Sequence, residues 1–159
     1  MNSIQVAPLA ESASAIESAE LNRRPRILVV EDDPDIRRLN AEVLASSGYA
    51  VDAAEDGAVA WEALQTYNYD LVVTDYQMPR VTGGELIQKI YAAQIPVPVI
   101  VVSGETNDSE FYCQPAAVLL KPYGFYELLE IVKEVLGVGA ATSGTVTAPP
   151  SSWSNQLAR

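Results

Sequence analysis

Five short apolar runs punctuate the chain: Ile27-Leu28-Val29-Val30, Val51-Asp52-Ala53-Ala54, Leu71-Val72-Val73-Thr74, Val99-Ile100-Val101-Val102 and Val118-Leu119-Leu120. Most are apolar at every position rather than at alternate ones, the pattern of parallel strands covered on both faces. Between them the apolar spacing changes to the helical period. Ile36, Leu39, Val43 and Leu44 form one stripe, Leu86, Ile87, Ile90 and Tyr91 a second, and Leu128, Leu129, Val132 and Leu136 a third. The pattern predicts an α/β fold, a doubly wound five-stranded parallel sheet of the flavodoxin-like (βα)5 type. Right-handed crossovers then give the strand order 2-1-3-4-5.

Boundary residues agree with this reading. Asp33 before Pro34 supplies a capping side chain followed by a residue suited to the first helical position, and Gly48 stands where that helix should end. Residues 1–24 are rich in Ala, Ser and Glu with a faint apolar stripe, and are expected to form a disordered arm. Residues 138–159 turn to Gly, Ala, Ser, Thr and the Pro149-Pro150 pair, too poor in apolar side chains to offset the entropy of ordering, and are expected to form a disordered tail. The folded unit is expected to be residues 25–137.

Composition narrows the chemistry. The 159 residues are 48% hydrophobic and 19% charged, which suits one globular core, and their formal net charge is −11 with no histidine. Without imidazole, any chemistry falls to carboxylate, hydroxyl and lysine side chains. So acidic a chain repels phosphate backbones and anionic lipid heads, so direct nucleic-acid or membrane binding is not expected. The single cysteine, Cys113, can form no internal disulfide and, without a second Cys or a His, no zinc site; a reduced cytoplasmic setting is expected. Neither a signal peptide nor an apolar stretch approaching the ~20 residues of a membrane span is evident.

Ligands of such sheets bind beyond the carboxyl ends of the strands, where the winding reverses. Those ends are chemically rich here. Strand one leads into Glu31-Asp32-Asp33, strand three ends in Asp75, strand four leads to Ser103, and strand five to Lys121-Pro122. Any one acid at a strand end is ordinarily a turn or cap residue, but together they pose an electrostatic problem. Two like charges ~4 Å apart repel by about 4 kcal/mol at an effective dielectric near 20, so the cluster calls for a hard cation. A few oxygen ligands with room left over suit Mg2+, which usually keeps waters and takes one or two carboxylates plus a phosphate. Lys121 would then pair with the phosphate, and the Ser103 hydroxyl would donate to it beside the small Gly104.

Glu31-Asp32-Asp33, Asp75-Tyr76-Gln77-Met78-Pro79 with Gly83, Ser103-Gly104 and Lys121-Pro122, in this order, resemble the receiver domains of two-component response regulators, of the chemotaxis-regulator kind. The resemblance covers the folded part and neither end. It implies that Asp75 accepts a phosphoryl group and binds Mg2+ directly, that Asp32 is a second ligand, that Glu31 acts through water, and that the Gln77 carbonyl completes the set. Asp33 reads as the helix cap. It further implies that Lys121 contacts the phosphoryl group, that Lys121-Pro122 is a cis bond, and that Ser103 senses phosphorylation. The donor would be a phosphohistidine on a sensor histidine kinase or a phosphotransfer protein. The chain would be a phosphoacceptor with self-catalysed transfer and slow autodephosphorylation at most, rather than an enzyme.

Two departures stand out. Where the family usually has Tyr or Phe, three residues before the lysine, this chain has Val118, so the usual coupling of hydroxyl to ring is in question. Only 17 residues separate Ser103 from Lys121, and Pro115 lies among them, so the fourth helix, near Asp108 to Gln114, is expected to be short or irregular. Nothing after Gly137 has the pattern of an effector domain, and output is expected through a downstream protein that the sequence leaves unidentified, as it does the oligomeric state. Phe111, Tyr112 and Tyr123 are docking or packing candidates, and Trp153 reads as a solvated tail residue. Three other readings suit the same fold less well. A Mg-dependent aspartyl-phosphate hydrolase wants an acid two residues after the nucleophile, where Gln77 stands. A flavodoxin-like carrier wants a neutral phosphate loop in place of Glu31-Asp32-Asp33. A constitutive interaction module has no need of the full acid set and lysine.

Overall fold

The computed structural model describes residues 23–104 and 114–137. Strands β1 (Arg26–Val30), β2 (Ala50–Ala54), β3 (Leu71–Asp75), β4 (Val99–Ser103) and β5 (Ala117–Leu120) form one sheet in the order β2-β1-β3-β4-β5. Every pairing is parallel. The helices among the described residues are α1 (Pro34–Ser46), α2 (Gly57–Thr66), α3 (Gly83–Ala92) and α4 (Phe125–Leu136). The expected fourth helix falls, apart from Gln114, outside the described residues. So do Phe111, Tyr112, Cys113, Trp153, the tail at 138–159 and all but residues 23 and 24 of the amino-terminal arm.

Alternation along the buried strands sends neighbouring side chains to opposite faces of the sheet. Leu28, Val30, Val72 and Val101 pack with Leu64 of α2 and with Leu86, Ile87 and Ile90 of α3. On the other face Ile27, Val29, Leu71, Val73 and Ile100 pack with Leu44 of α1 and with Leu128 and Val132 of α4. β3 and β4, the central strands, are buried at every position, as continuous apolar runs require.

Helix boundaries follow the capping chemistry. Asp33 precedes α1 with extended backbone (φ −70°, ψ 116°), and its Oδ1 accepts from the backbone N–H of Asp35 at 2.9 Å and of Ile36 at 3.1 Å. Pro34 follows at the first helical position, and Gly48 takes the left-handed φ of 97° just after the helix stops. α3 begins with a reciprocal capping box between Thr82 and Glu85.

The first predicted stripe is corrected in part. Leu44 is fully buried, but Ile36 and Leu39 are 36% and 39% exposed, and the polar Asn40 is buried in their stead. α1 is turned so that the Asn40 Nδ2–H donates to the Tyr123 hydroxyl at 2.8 Å, which satisfies the amide inside the protein. Ile36 and Leu39 instead line an open groove with Pro122, Tyr123 and Phe125. Apolar periodicity locates a helix without fixing its rotation when a polar side chain finds a partner within the fold.

Candidate functional site

The carboxyl ends of β1, β3, β4 and β5 meet at one rim. Glu31 and Asp32 follow β1, Asp75 ends β3, and oxygens of the three carboxylates lie within 4.8 Å of one another. Glu31 and Asp75 are buried, at 3% and 6% exposure, whereas Asp32 is exposed. Ser103 is buried at the end of β4, one residue beyond Val102, which is in register with Asp75. Its carbonyl accepts from the Lys121 backbone N–H at 2.8 Å, tying the β5 exit to β4. The Lys121-Pro122 bond is cis.

The lysine points into the acids. Lys121 Nζ lies 2.6 Å from Asp75 Oδ2 and 3.9 Å from Glu31 Oε2. Asp75 Oδ1 accepts from the backbone N–H of Gln77 at 3.2 Å, and Gln77 itself is exposed. Glu31 Oε1 accepts from the Asp33 N–H at 3.2 Å. The sequence-predicted residues Glu31, Asp32, Asp75, Gln77, Ser103 and Lys121 are thus gathered on this rim, while Asp33 turns its own side chain to the helix.

Electrostatics explain what this arrangement lacks. Burial, and then the charge of Asp75, push the Glu31 carboxyl from its ordinary 4.5 up to about 7, although the Asp33 N–H and Lys121 oppose the shift. Burial pulls the Lys121 ammonium downward, but the hydrogen bond and charge of Asp75, with the charge of Glu31, outweigh it and hold the group above its ordinary value. One ammonium among three carboxylates leaves the rim short of positive charge. The donors are all oxygen, which a hard divalent cation prefers, so these residues fit Mg2+.

Two arginines lay beyond what the sequence reading found. Arg37, on the first turn of α1, reaches back so that its Nη1–H donates to the carbonyls of Glu31 at 2.7 Å and Asp32 at 3.2 Å, bracing the acidic turn. Arg80, in the loop after β3, pairs with Asp56 and Glu55 at the start of α2. The only sequence signal for Arg37 is a cation four residues beyond the cap, and Arg38 follows directly with the same charge; for Arg80 there is none, because its partners lie on another crossover.

The sequence model of the response regulator receiver domain matches residues 27–133, the whole span that builds this rim. The chain belongs to that family. The receiver is 31% identical over 115 residues to the response regulator receiver protein CpdR of Brucella abortus, a match covering 70% of this chain and 96% of that one. Among solved structures it is similar to the response regulator protein TrrA of Thermotoga maritima in complex with Mg2+-BeF, at 34% identity and a TM-score of 0.62, covering 70% of this chain and 98% of that one. It is likewise similar to the chemotaxis response regulator CheY4 of Vibrio cholerae, at 25% identity and a TM-score of 0.66, over 71% and 99% of the two chains. Against other curated relatives the receiver spans only 13% and 51% of their length. Among the described residues no helix is long and apolar enough to cross a membrane.

Proposed function

We propose that this receiver, in residues 25–137, accepts a phosphoryl group on Asp75 from a phosphohistidine donor, a sensor histidine kinase or a phosphotransfer protein, and so switches a surface read by another protein. The observation that carries the reading is the placement of Asp75: a buried carboxylate held by Lys121 at 2.6 Å and faced by two further acids. A carboxylate oxygen of Asp75 attacks phosphorus, an O–P bond forms as the P–N bond breaks, and the departing imidazole keeps the bonding electron pair. Lys121 starts paired with the carboxylate and is close enough to pass to a phosphoryl oxygen as the acyl phosphate forms. Asp32, Asp75 and the Gln77 carbonyl would hold Mg2+, with Glu31 acting through water. When bound, the cation would neutralise charge on the acids and on the phosphoryl oxygens.

Ser103 is positioned to report the event, because a hydroxyl at the end of β4 can donate to a phosphoryl oxygen and draw its backbone towards the rim. Val118, in register with Val101 on the neighbouring strand, has no ring to swing and no hydroxyl to expose, so output begins with Ser103 and Gly104. Position 77 bears an amide rather than the second acid that a hydrolase of this chemistry needs, which favours a stored phosphoryl group over turnover.

The test is phosphorylation by acetyl phosphate with Mg2+, followed by intact-mass spectrometry. The unaltered chain should gain one phosphoryl group and Asp75→Asn should gain none while keeping its circular dichroism. A phosphate yield that survives the substitution would overturn the assignment.

A further inference from the structure

The loop from Asp75 to α3 is held at both ends by backbone contacts. Tyr76 N–H donates to the Val102 carbonyl at 2.8 Å, and Gly83 N–H donates to the Tyr76 carbonyl at 3.0 Å. Gly83 is packed so closely that a Cβ there would collide with the Asp75 carbonyl oxygen. Between these ends lies Gln77, whose carbonyl would serve as a ligand in the proposed Mg2+ site.

The middle of the loop is tethered by a side chain. Arg80 has a left-handed backbone (φ 68°), a conformation that non-glycine residues adopt only where the surroundings impose it. Its side chain is 66% exposed, and its guanidinium pairs with Glu55 at 3.4 Å and with the Oδ2 of Asp56. Asp56 is 1% exposed, and its Oδ1 is already occupied by the N–H groups of Ala58 at 2.8 Å and Val59 at 2.9 Å, capping α2. Apart from the ion pair with Arg80, its Oδ2 meets no hydrogen-bond donor among the described residues. Beside it the Gly57 N–H donates to the Val81 carbonyl at 3.3 Å, and a Cβ on Gly57 would lie 2.6 Å from Val81 Cγ1 and 2.8 Å from that carbonyl oxygen.

An ion pair between two exposed groups would hold the loop weakly. This one differs because one partner is buried: without Arg80, the Asp56 carboxylate is left with an unanswered charge inside the protein, and only loop displacement or water entry relieves it. The pair therefore presses the β3–α3 loop against the start of α2. We propose that the Arg80–Asp56 pair sets the position of the Gln77 carbonyl, making Arg80, on the ligand-bearing loop, and Asp56, on a crossover that contributes no ligand, positioning residues for Mg2+ binding. The inference rests on the assignment of the rim as a Mg2+ site.

The test is calorimetric titration of the full chain with Mg2+, comparing the unaltered protein with Arg80→Gly, Asp56→Asn and the double variant. Glycine accepts the left-handed backbone and asparagine keeps the cap of α2, so both single variants retain the local fold. Each should bind Mg2+ about tenfold more weakly, and the double variant no more weakly than either, the coupling expected of one contact. With acetyl phosphate the loss should appear in the Mg2+ concentration needed for half-maximal phosphorylation, and the rate at saturating Mg2+ should return to that of the unaltered chain. Unchanged affinity in Arg80→Gly, additive losses in the double variant, or a deficit persisting at saturation would each overturn the positioning role. An unaltered chain that takes up no Mg2+ would overturn the site assignment beneath it.

Discussion

The two ends of the sheet handle charge in opposite ways. Towards the amino ends of β1 and β3, the described acids Asp52 and Asp70 both meet partners. Arg26 donates from its backbone to Asp70 at 2.6 Å and from its side chain to Asp52 at 2.8 Å, and its guanidinium lies 4.5 Å and 5.1 Å from the ring centres of Tyr67 and Tyr69. Arg23 takes the other oxygen of Asp70 at 2.7 Å, and the Tyr69 hydroxyl donates to Asp52 at 2.9 Å. Burial, then the hydrogen bond to Asp52, push that phenol up to about 12, so it stays protonated across the physiological range. At the carboxyl ends, among the described residues, Lys121 pairs with Glu31 and Asp75 of the cluster Glu31, Asp32 and Asp75. The balanced end fastens the sheet; the unbalanced end is prepared for something that brings positive charge.

Substitutions at the two ends should separate these roles. The largest effect is expected for Asp32→Ala, which should weaken Mg2+ at least about tenfold by calorimetry, since it removes a proposed direct ligand. Equal affinity would mean that Asp32 is a surface acid only. At the other end Arg26→Ala should leave Mg2+ affinity unchanged and lower stability to urea by about 1 kcal/mol, a figure restrained by the solvent that reaches Asp52. A change in Mg2+ affinity there would erase the contrast between the ends.

Asp33→Ala sharpens the boundary of the acidic run. It should cost about 1 kcal/mol of stability as a lost cap, with Mg2+ binding kept. If the metal weakened more than in Asp32→Ala, the assignment along Glu31-Asp32-Asp33 would be off by one residue.

A further effect is one of pH, in the metal-free protein. The folded chain holds the Glu31 proton up to about 7, and the unfolded chain releases it near 4.5, so between these values the folded form binds more protons. Stability carried by this group is complete below 4.5 and lost as pH rises through about 7. The thermal midpoint should therefore sag over that window. Asp75 and Asp32 favour the protonated form while the Asp33 N–H and Lys121 oppose it. Glu31→Gln should flatten the profile; an identical sag in that variant would place its origin elsewhere.

Much of this was legible in the sequence because the signals are local. Short apolar runs, most of them continuous, located all five strands, Asp33 with Pro34 marked the start of α1, and the acids and lysine at strand ends implied one rim once the strand order was known. What stayed hidden depends on distant pairing. Asn40 lies at an apolar-looking position and is buried only because Tyr123, 83 residues away in sequence, meets it. Arg80 reads as a loop cation until Asp56 is seen at the start of another helix. Ile36 and Leu39 share an apolar stripe with Leu44 in the sequence yet line a surface groove, since a helix's rotation is settled by the contacts of its whole circumference.

The sheet also acts as a partition. Ile27 and Leu28 are adjacent in sequence yet belong to separate interiors, one closed by α1 and α4 and the other by α2 and α3. Packing changes on the two sides share few neighbours, so their energetic costs should combine nearly independently. A lineage can thus remodel the helices of one side, and whatever they meet, while the other side and the rim keep their geometry. Diversity of partners around an unchanged chemical centre is a natural outcome of a protein built with two insulated interiors and a single shared edge.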